Sequence, residues 1–299
     1  MNQCQIEAKY KNGHALFMQD VYKMYGTKTV LDNVDLAVST GELCTVVGPS
    51  GCGKSTLLRL IVGQEQATKG VVCIDGSDAD FPDSERGIVY QKYSLFPNLK
   101  VIDNVLLGPR LRNSLYSRWF NEKNLTDEAQ FLLEKVRLGE HLHKYPHQLS
   151  GGQQQRVAIA QSLITKPKIL LMDEPFGALD PGTREHMQTL LLDLWEQYKM
   201  TIFFVTHDLE EAVFLGTRII VLSQYYQDER GEKCDDRGAR IVADYSLDLK
   251  ATSTDVKKTT EFGTLIQDIR RDCFDPDHLQ HLEKFNLNHP DSFSADIGE

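Results

Sequence analysis

The 299-residue chain has no apolar stretch approaching the roughly 18–20 residues that span a bilayer. Its opening residues, MNQCQIEAKYKNGH, lack the apolar core that a secretory signal requires. Cysteine is sparse. The six cysteines (Cys4, Cys44, Cys52, Cys73, Cys234 and Cys273) include no CxxC pair, which fits reduced thiols in a cytosolic chain better than a disulfide framework. Basic charge is also short, with 33 Lys+Arg against 43 Asp+Glu and a net charge of −10. That balance argues against a general nucleic-acid binder, which needs a basic face to displace counterions from phosphates.

What remains is ordinary for a globular protein: 41% apolar, 9% aromatic and 25% charged residues. The acidity is uneven. Residues 227–299 hold 17 acidic and 10 basic side chains, a net of −7, leaving 26 against 23 for residues 1–226. Short apolar runs at 16–18, 30–38, 43–47, 71–74, 87–90, 169–172 and 202–205 read as strands. Residues 54–62 read as a helix, and 95–164 look largely helical. The clearest helix is 183–199, where Met187, Leu190, Leu191, Leu194, Trp195 and Tyr198 follow the spacing of one buried face. Strands alternating with helices imply a parallel sheet covered on both faces.

Four of the apolar runs end on groups suited to phosphate or metal chemistry. They lead into the Gly48 loop, Gln91, Asp173-Glu174 and His207. Ligands of open α/β sheets bind beyond the carboxyl ends of strands, so all four groups are expected at one edge. The loop itself, Gly48-Pro-Ser-Gly-Cys-Gly-Lys-Ser-Thr56, fits G-x-x-x-x-G-K-[ST]. Its glycines let backbone N–H groups turn around an anion, Lys54 adds charge near the β/γ-phosphates, and the Ser55 hydroxyl suits Mg²⁺. Cys52 sits where helix-end N–H groups favour a thiolate, which predicts alkylation that MgATP blocks. A second segment, Leu149-Ser-Gly-Gly-Gln153, reads as a helix start capped by Ser150 and offers another anion-binding helix end.

With the P-loop, Gln91, this signature, Asp173-Glu174 and His207 in that order, the chain resembles the nucleotide-binding subunits of ABC transporters over about residues 15–225. The resemblance implies an α/β, P-loop NTPase (RecA-like) core with a parallel sheet, an antiparallel β subdomain and an inserted α-helical signature subdomain at about 95–164. It implies that ATP is held by Gly48, Ser50, Gly51, Cys52, Gly53, Lys54, Ser55 and Thr56, with Tyr25 stacked on adenine. Mg²⁺ would be held by Ser55, Gln91 and Asp173. Glu174 would be the general base, His207 the γ-phosphate contact, and Gln91 the sensor of attacking water and membrane partner. Ser150, Gly151, Gly152, Gln153 and the D-loop Asp180 would complete the site of the opposite subunit, in a homodimer or a dimer with a similar ATPase.

The stretches 173–180, 183–195 and 206–214, with 85–91, are closely similar to the ATPases of taurine, nitrate and sulfonate importers. This resemblance implies ATP hydrolysis that drives uptake of a small polar solute. Transmembrane permease subunits would hold the chain at the cytoplasmic membrane face, a solute-binding protein would act indirectly, and no nucleic acid would be bound. Leu95-Phe-Pro-Asn98 departs from the Pro-Trp frequent in that group, within the segment 91–112 that should dock the permease. The alternative is a soluble ABC ATPase acting on protein or nucleic acid.

Two metal-like groupings are weaker. His141, His143 and His147 surround Pro146 in a loop that reads as positioning the signature, and Cys273, His278 and His281 lack an evident fourth ligand. Residues 226–299 form an acidic, partly helical extension. A strand is expected at 241–249, and a helix at 260–274 with Phe262, Leu265, Ile266, Ile269 and Cys273 on one face. A further helix capped by Asp277 and a frayed end after Leu287 are also expected.

Overall fold

A computed structural model describes residues 14–79, 81–92, 94–112, 115–231, 237–247, 259–275 and 278–294, with backbone alone at 115–121 and 272–273. The chain opens with β1 (His14–Tyr25), β2 (Lys28–Ser39), β3 (Leu43–Val47), α1 (Lys54–Val62), β4 (Lys69–Ile74) and β5 (Ser77–Asp78). Then come β6 (Arg86–Val89), α2 (Val101–Arg112), α3 (Leu115–Lys135), α4 (Gly151–Leu163), β7 (Ile169–Asp173) and α5 (Pro181–Tyr198). Next are β8 (Thr201–Val205), α6 (Leu209–Leu215), β9 (Arg218–Ser223) and β10 (Tyr226–Gln227). The chain closes with β11 (Arg240–Ser246), α7 (Thr260–Phe274), β12 (Gln280–His281) and β13 (Asn286–Leu287). It divides into two units, Met1–Pro82 with Thr201–Glu299, and Asp83–Met200.

The first unit holds an antiparallel sheet in the order β2-β1-β4-β5. It also holds five strands in the order β13-β11-β9-β3-β8, with β3 parallel to both neighbours and β11 antiparallel to β9. Every residue of β3, β8 and β9 is buried, which explains their continuous apolar runs. In the same unit Arg218 is fully buried at the start of β9. Its guanidinium donates to both Asp244 oxygens at 2.8 and 2.6 Å, to the Ala37 carbonyl at 2.7 Å and to Glu42 at 3.2 Å. A guanidinium without water needs several acceptors, and this one has four.

The extension folds back onto this unit. The strand expected at 241–249 is β11, and α7 covers the expected helix with Phe262 and Ile269 buried and Leu265 and Ile266 half-buried. Asp277 lies outside the described residues. The expectation of a frayed end after Leu287 is corrected. The N–H groups of Asn288 and His289 donate to the Asp244 carbonyl at 3.0 and 3.2 Å. Ser39 donates to Asp291 at 2.7 Å, Ser292 donates to the Asp244 carboxylate, and Phe293 stacks on Phe17 at 5.4 Å. The polar residues that read as loose are the ones consumed by these long-range partners. Glu42, His289 and Asp291 come together here in a ligand-like cluster. His289 Nδ1 accepts the Asp291 N–H at 3.1 Å, so Nε2 bears the proton and faces Glu42, leaving no lone pair for a metal.

Cys44 and Cys52 are free and buried, whereas Cys73 is disulfide-bonded, which corrects the expectation of reduced thiols throughout. Spacing along the chain does not limit which thiols meet in space. Cys4 and Cys234 lie outside the described residues.

In the second unit β6 and β7 run parallel, with Val89 opposite Met172. Helix α5 buries Met187, Leu190, Leu191, Leu194 and Trp195, each stabilising the unit by roughly 1.5–3 kcal/mol before entropy. Tyr198 departs from that face. It is exposed in the last turn, where the Lys166 ammonium lies 5.7 Å from its ring centroid.

Candidate functional site

In the first unit two chain ends leave the same edge. β3 and β8 pair in parallel with Val46 opposite Val205, so the Gly48 loop and the Thr206-His207 turn emerge side by side. Gly48 lies against the end of β9, where a Cβ would meet the Leu222 carbonyl oxygen at 2.2 Å. Only glycine fits. Gly53 caps α1 at φ 112°, a left-handed conformation that glycine adopts without strain. Ser50 and Gly51 are exposed in the loop between, and Ser55 and Thr56 occupy the first turn of α1. Lys54 is buried, and its Nζ donates to the Gly48 and Pro49 carbonyls at 2.7 and 2.9 Å. The result is a cation and a helix N-terminus at one loop.

The expected Cys52 thiolate is corrected. Its side chain is 1% exposed, and burial pushes the thiol up, with Lys54 opposing only in part. Desolvation outweighs the helix end. Tyr25 is exposed at the end of β1, and its hydroxyl donates to Glu65, just beyond α1. Lys23 lies 3.0 Å from Glu65 and 5.0 Å from the Tyr25 ring centroid. Although burial opposes it, the Tyr25 hydroxyl and Lys23 hold the Glu65 carboxyl below the usual range. His207 is exposed, and the residues flanking it are fixed. Thr206 donates to Glu211 at 2.7 Å, and Asp208 accepts the N–H groups of Glu210 and Glu211 to cap α6.

The second unit brings the other groups together. β6 and β7 deliver Gln91 and Asp173-Glu174 to one edge. Gln91 Nε2 donates to Glu174 Oε2 at 3.1 Å, across 83 residues of sequence. Glu174 has φ 46°, a left-handed conformation that costs a non-glycine residue roughly 1 kcal/mol or more. Its carbonyl accepts the Gly177 N–H at 3.3 Å and Gln155 Nε2 at 3.4 Å, so the signature helix α4 helps to hold the strained turn. Asp173 ends β7 half-buried.

Ser150 caps α4 as expected, within a reciprocal pair. Its Oγ accepts the Gln153 N–H at 3.3 Å, and Gln153 Oε1 accepts the Ser150 N–H at 2.9 Å. Gly151 and Gly152 form the first turn of α4, half-buried. Arg156, one turn on, donates to the Val136 carbonyl at 2.8 Å. Burial lowers its pKa while Asp180 raises it. Asp180 is exposed and caps α5, accepting the Thr183 N–H at 3.0 Å; the Thr183 hydroxyl and then its N–H hold the Asp180 carboxyl below the usual range.

Sequence reasoning missed three supporting residues: Glu65, Gln155 and Asn104. Asn104 is fully buried. Its carboxamide accepts the Phe96 N–H and donates to the Phe96, Leu99 and Lys100 carbonyls at 3.0–3.2 Å, pinning that loop while leaving Phe96 exposed. An Asn within a largely apolar stretch between Pro97 and Pro109 was the available signal.

Residues 31–177 match the ABC transporter family. The chain is 43% identical over 202 residues to the aliphatic sulfonates import ATP-binding protein SsuB of Bacillus anthracis, covering 68% of this chain and 77% of that protein. The chain belongs to the ABC transporter family. It is also 46% identical over 198 residues to the nitrate import ATP-binding protein NrtD of Synechocystis sp., covering 66% and 72%. Among solved structures, the ATP-binding cassette MJ0796 bound to ADP and Pi is similar at 35% identity and a TM-score of 0.61, covering 69% of this chain and 93% of that one. A dimeric structure of the same cassette gives 33% identity and a TM-score of 0.65 over 78% and 98%. This cassette is therefore a nucleotide-binding ABC ATPase with the α/β fold expected for it. No helix among the described residues is long and apolar enough to cross a membrane.

Proposed function

We propose that this cassette powers an importer of a small oxyanionic solute of the sulfonate or nitrate class, working as a dimer beneath partner permease subunits at the cytoplasmic membrane face. The likeness to import ATPases over about two thirds of the chain supports the transport role. The single observation that carries the catalytic reading is the Gln91–Glu174 contact, 3.1 Å, at a residue held in strained backbone. A neutral carboxamide on the carboxylate orients the group as a base that takes a proton from water.

In this reading Lys54 and the P-loop N–H groups bind the β- and γ-phosphates, Tyr25 stacks on adenine, and His207 contacts the γ-phosphate. Ser50, Gly51, Cys52, Gly53 and Thr56 shape the loop. Ser55, Gln91 and Asp173 offer the hard oxygen donors that suit Mg²⁺, which when bound neutralises phosphate charge. The capped N-terminus of α4, with Ser150, Gly151, Gly152 and Gln153, and the D-loop residue Asp180 face the nucleotide of the second subunit. A second helix end there excludes water from the γ-phosphate and makes ATP the joint of the dimer. The exposed Phe96, on the loop pinned by Asn104, contacts the permease.

Glu174→Gln tests the base. It is expected to lower turnover by roughly 10²–10⁴-fold while trapping an ATP-bound dimer. Normal hydrolysis by the variant refutes the assignment. Sulfonate- or nitrate-stimulated hydrolysis in vesicles holding the permease complex tests the transport role, and indifference to every small oxyanion refutes the solute class.

A further inference from the structure

Gln153 has both ends of its carboxamide committed. Oε1 accepts the Ser150 backbone N–H at 2.9 Å, and a backbone N–H cannot accept, so the orientation of the group is fixed. Its NH₂ therefore points the other way, where it meets His141 Nε2 at 3.1 Å. An amide NH₂ only donates. His141 Nε2 is then the nitrogen with the lone pair, and the ring proton sits on Nδ1. Nδ1 is buried and makes no hydrogen bond among the described residues, so no second contact competes in choosing the tautomer.

The ring is carried on a fixed turn. The His141 N–H donates to the Leu138 carbonyl at 2.9 Å. The carbonyls of Leu142 and Lys144 accept the N–H groups of Ile102 and Val101, the first residues of α2, at 3.1 and 2.9 Å. The cap of α4 is thus tied through Gln153 and His141 to a neighbouring element of the same unit.

We propose that His141 is a positioning residue for the nucleotide-contacting signature. As the neutral Nδ1–H tautomer it orients the Gln153 carboxamide. That group in turn ties down the Ser150 backbone through its N–H, and so holds the Ser150 hydroxyl in the geometry that receives the γ-phosphate of the second subunit's nucleotide. The role rests on the shared-site reading of the signature proposed above.

The test begins with ¹⁵N NMR of the histidine rings in the full chain at pH 8, where His141 is expected to show the Nδ1–H pattern. An Nε2–H pattern overturns the proposal outright. In a Glu174→Gln background, ATP-dependent dimerisation is then followed for His141→Leu and His141→Gln. Leu removes the acceptor, and Gln restores an oxygen at the reach of Nε2. His141→Leu is expected to weaken dimerisation about five-fold, with His141→Gln returning within about two-fold, while both bind a fluorescent ATP analogue as the parent does. Equal dimerisation by the two variants overturns the positioning role, since a volume effect alone would give that result. Failure of the Glu174→Gln parent to dimerise with ATP at all refutes the shared site itself, and the role of His141 falls with it. The ¹⁵N pattern then still shows whether the tautomer was read correctly.

Discussion

Removing the Asp244 carboxylate should show how much the buried Arg218 depends on it. Arg218 is fully buried and Asp244 is 2% exposed, so the pair is held without water on either side. In Asp244→Ala the guanidinium keeps the Ala37 carbonyl at 2.7 Å and Glu42 at 3.2 Å but loses both shorter carboxylate contacts. Breaking a buried pair from one side costs about 3–5 kcal/mol, and the remaining Glu42 contact favours the lower end. About 3 kcal/mol is a large share of the 5–15 kcal/mol that typically separates folded from unfolded. At about 2–4 °C per kcal/mol, Tm should fall by roughly 6–12 °C, measured by circular dichroism or calorimetry. The control is Arg218→Met with Asp244→Leu, which removes both charges and should recover most of the loss. If the single and double variants melt together, the cost is lost packing and the unpaired-charge reasoning is wrong. A fall of less than about 2 °C in Asp244→Ala would show that Glu42 satisfies the guanidinium by itself.

Three further outcomes are expected. Gly48→Ala places a Cβ 2.2 Å from the Leu222 carbonyl oxygen, so it should cost about 1–3 kcal/mol and weaken nucleotide binding; unaltered calorimetric titration with ATP would contradict the close approach. Burial and the Arg218 guanidinium hold His289 below the usual imidazole range, so the folded chain keeps it neutral where the unfolded chain takes up a proton. Stability is then full above about pH 6.5 and lost as pH falls below it, and His289→Gln should show a smaller fall in Tm between pH 7.5 and 5; parallel curves would refute this. Cys52 should react with maleimide more slowly than glutathione at pH 7.5, with or without MgATP, and a rate matching glutathione would show that the thiol is open.

The groups proposed to bind nucleotide were legible because each is encoded by neighbours in sequence. Gly48–Thr56, Ser150–Gln153 and Asp180–Thr183 are local constellations whose hydrogen bonds span three to six residues. Strand ends were equally readable, since the apolar runs close on Val47, Tyr90, Met172 and Val205. Contacts between distant residues left no such trace. Gln91 with Glu174, Tyr25 with Glu65 and Arg218 with Asp244 are choices made by the folded chain. Cys52 shows a local rule overridden: the helix end favours a thiolate, but Cys52 points inward and desolvation wins. Residues 288–294 show the opposite error, in which polar composition reads as looseness although its donors and acceptors are taken up by Ser39 and Asp244.

The two residues of β13 lie alongside β11 as the outermost of the five strands of the first unit. A strand left at that margin would offer an open row of N–H and C=O groups to any passing chain. By laying its own last strand there, the polypeptide occupies the place a second molecule would otherwise take. It covers Ala243 and Asp244 of that edge, so a variant shortened before Asn286 should be judged first by whether it stays in solution.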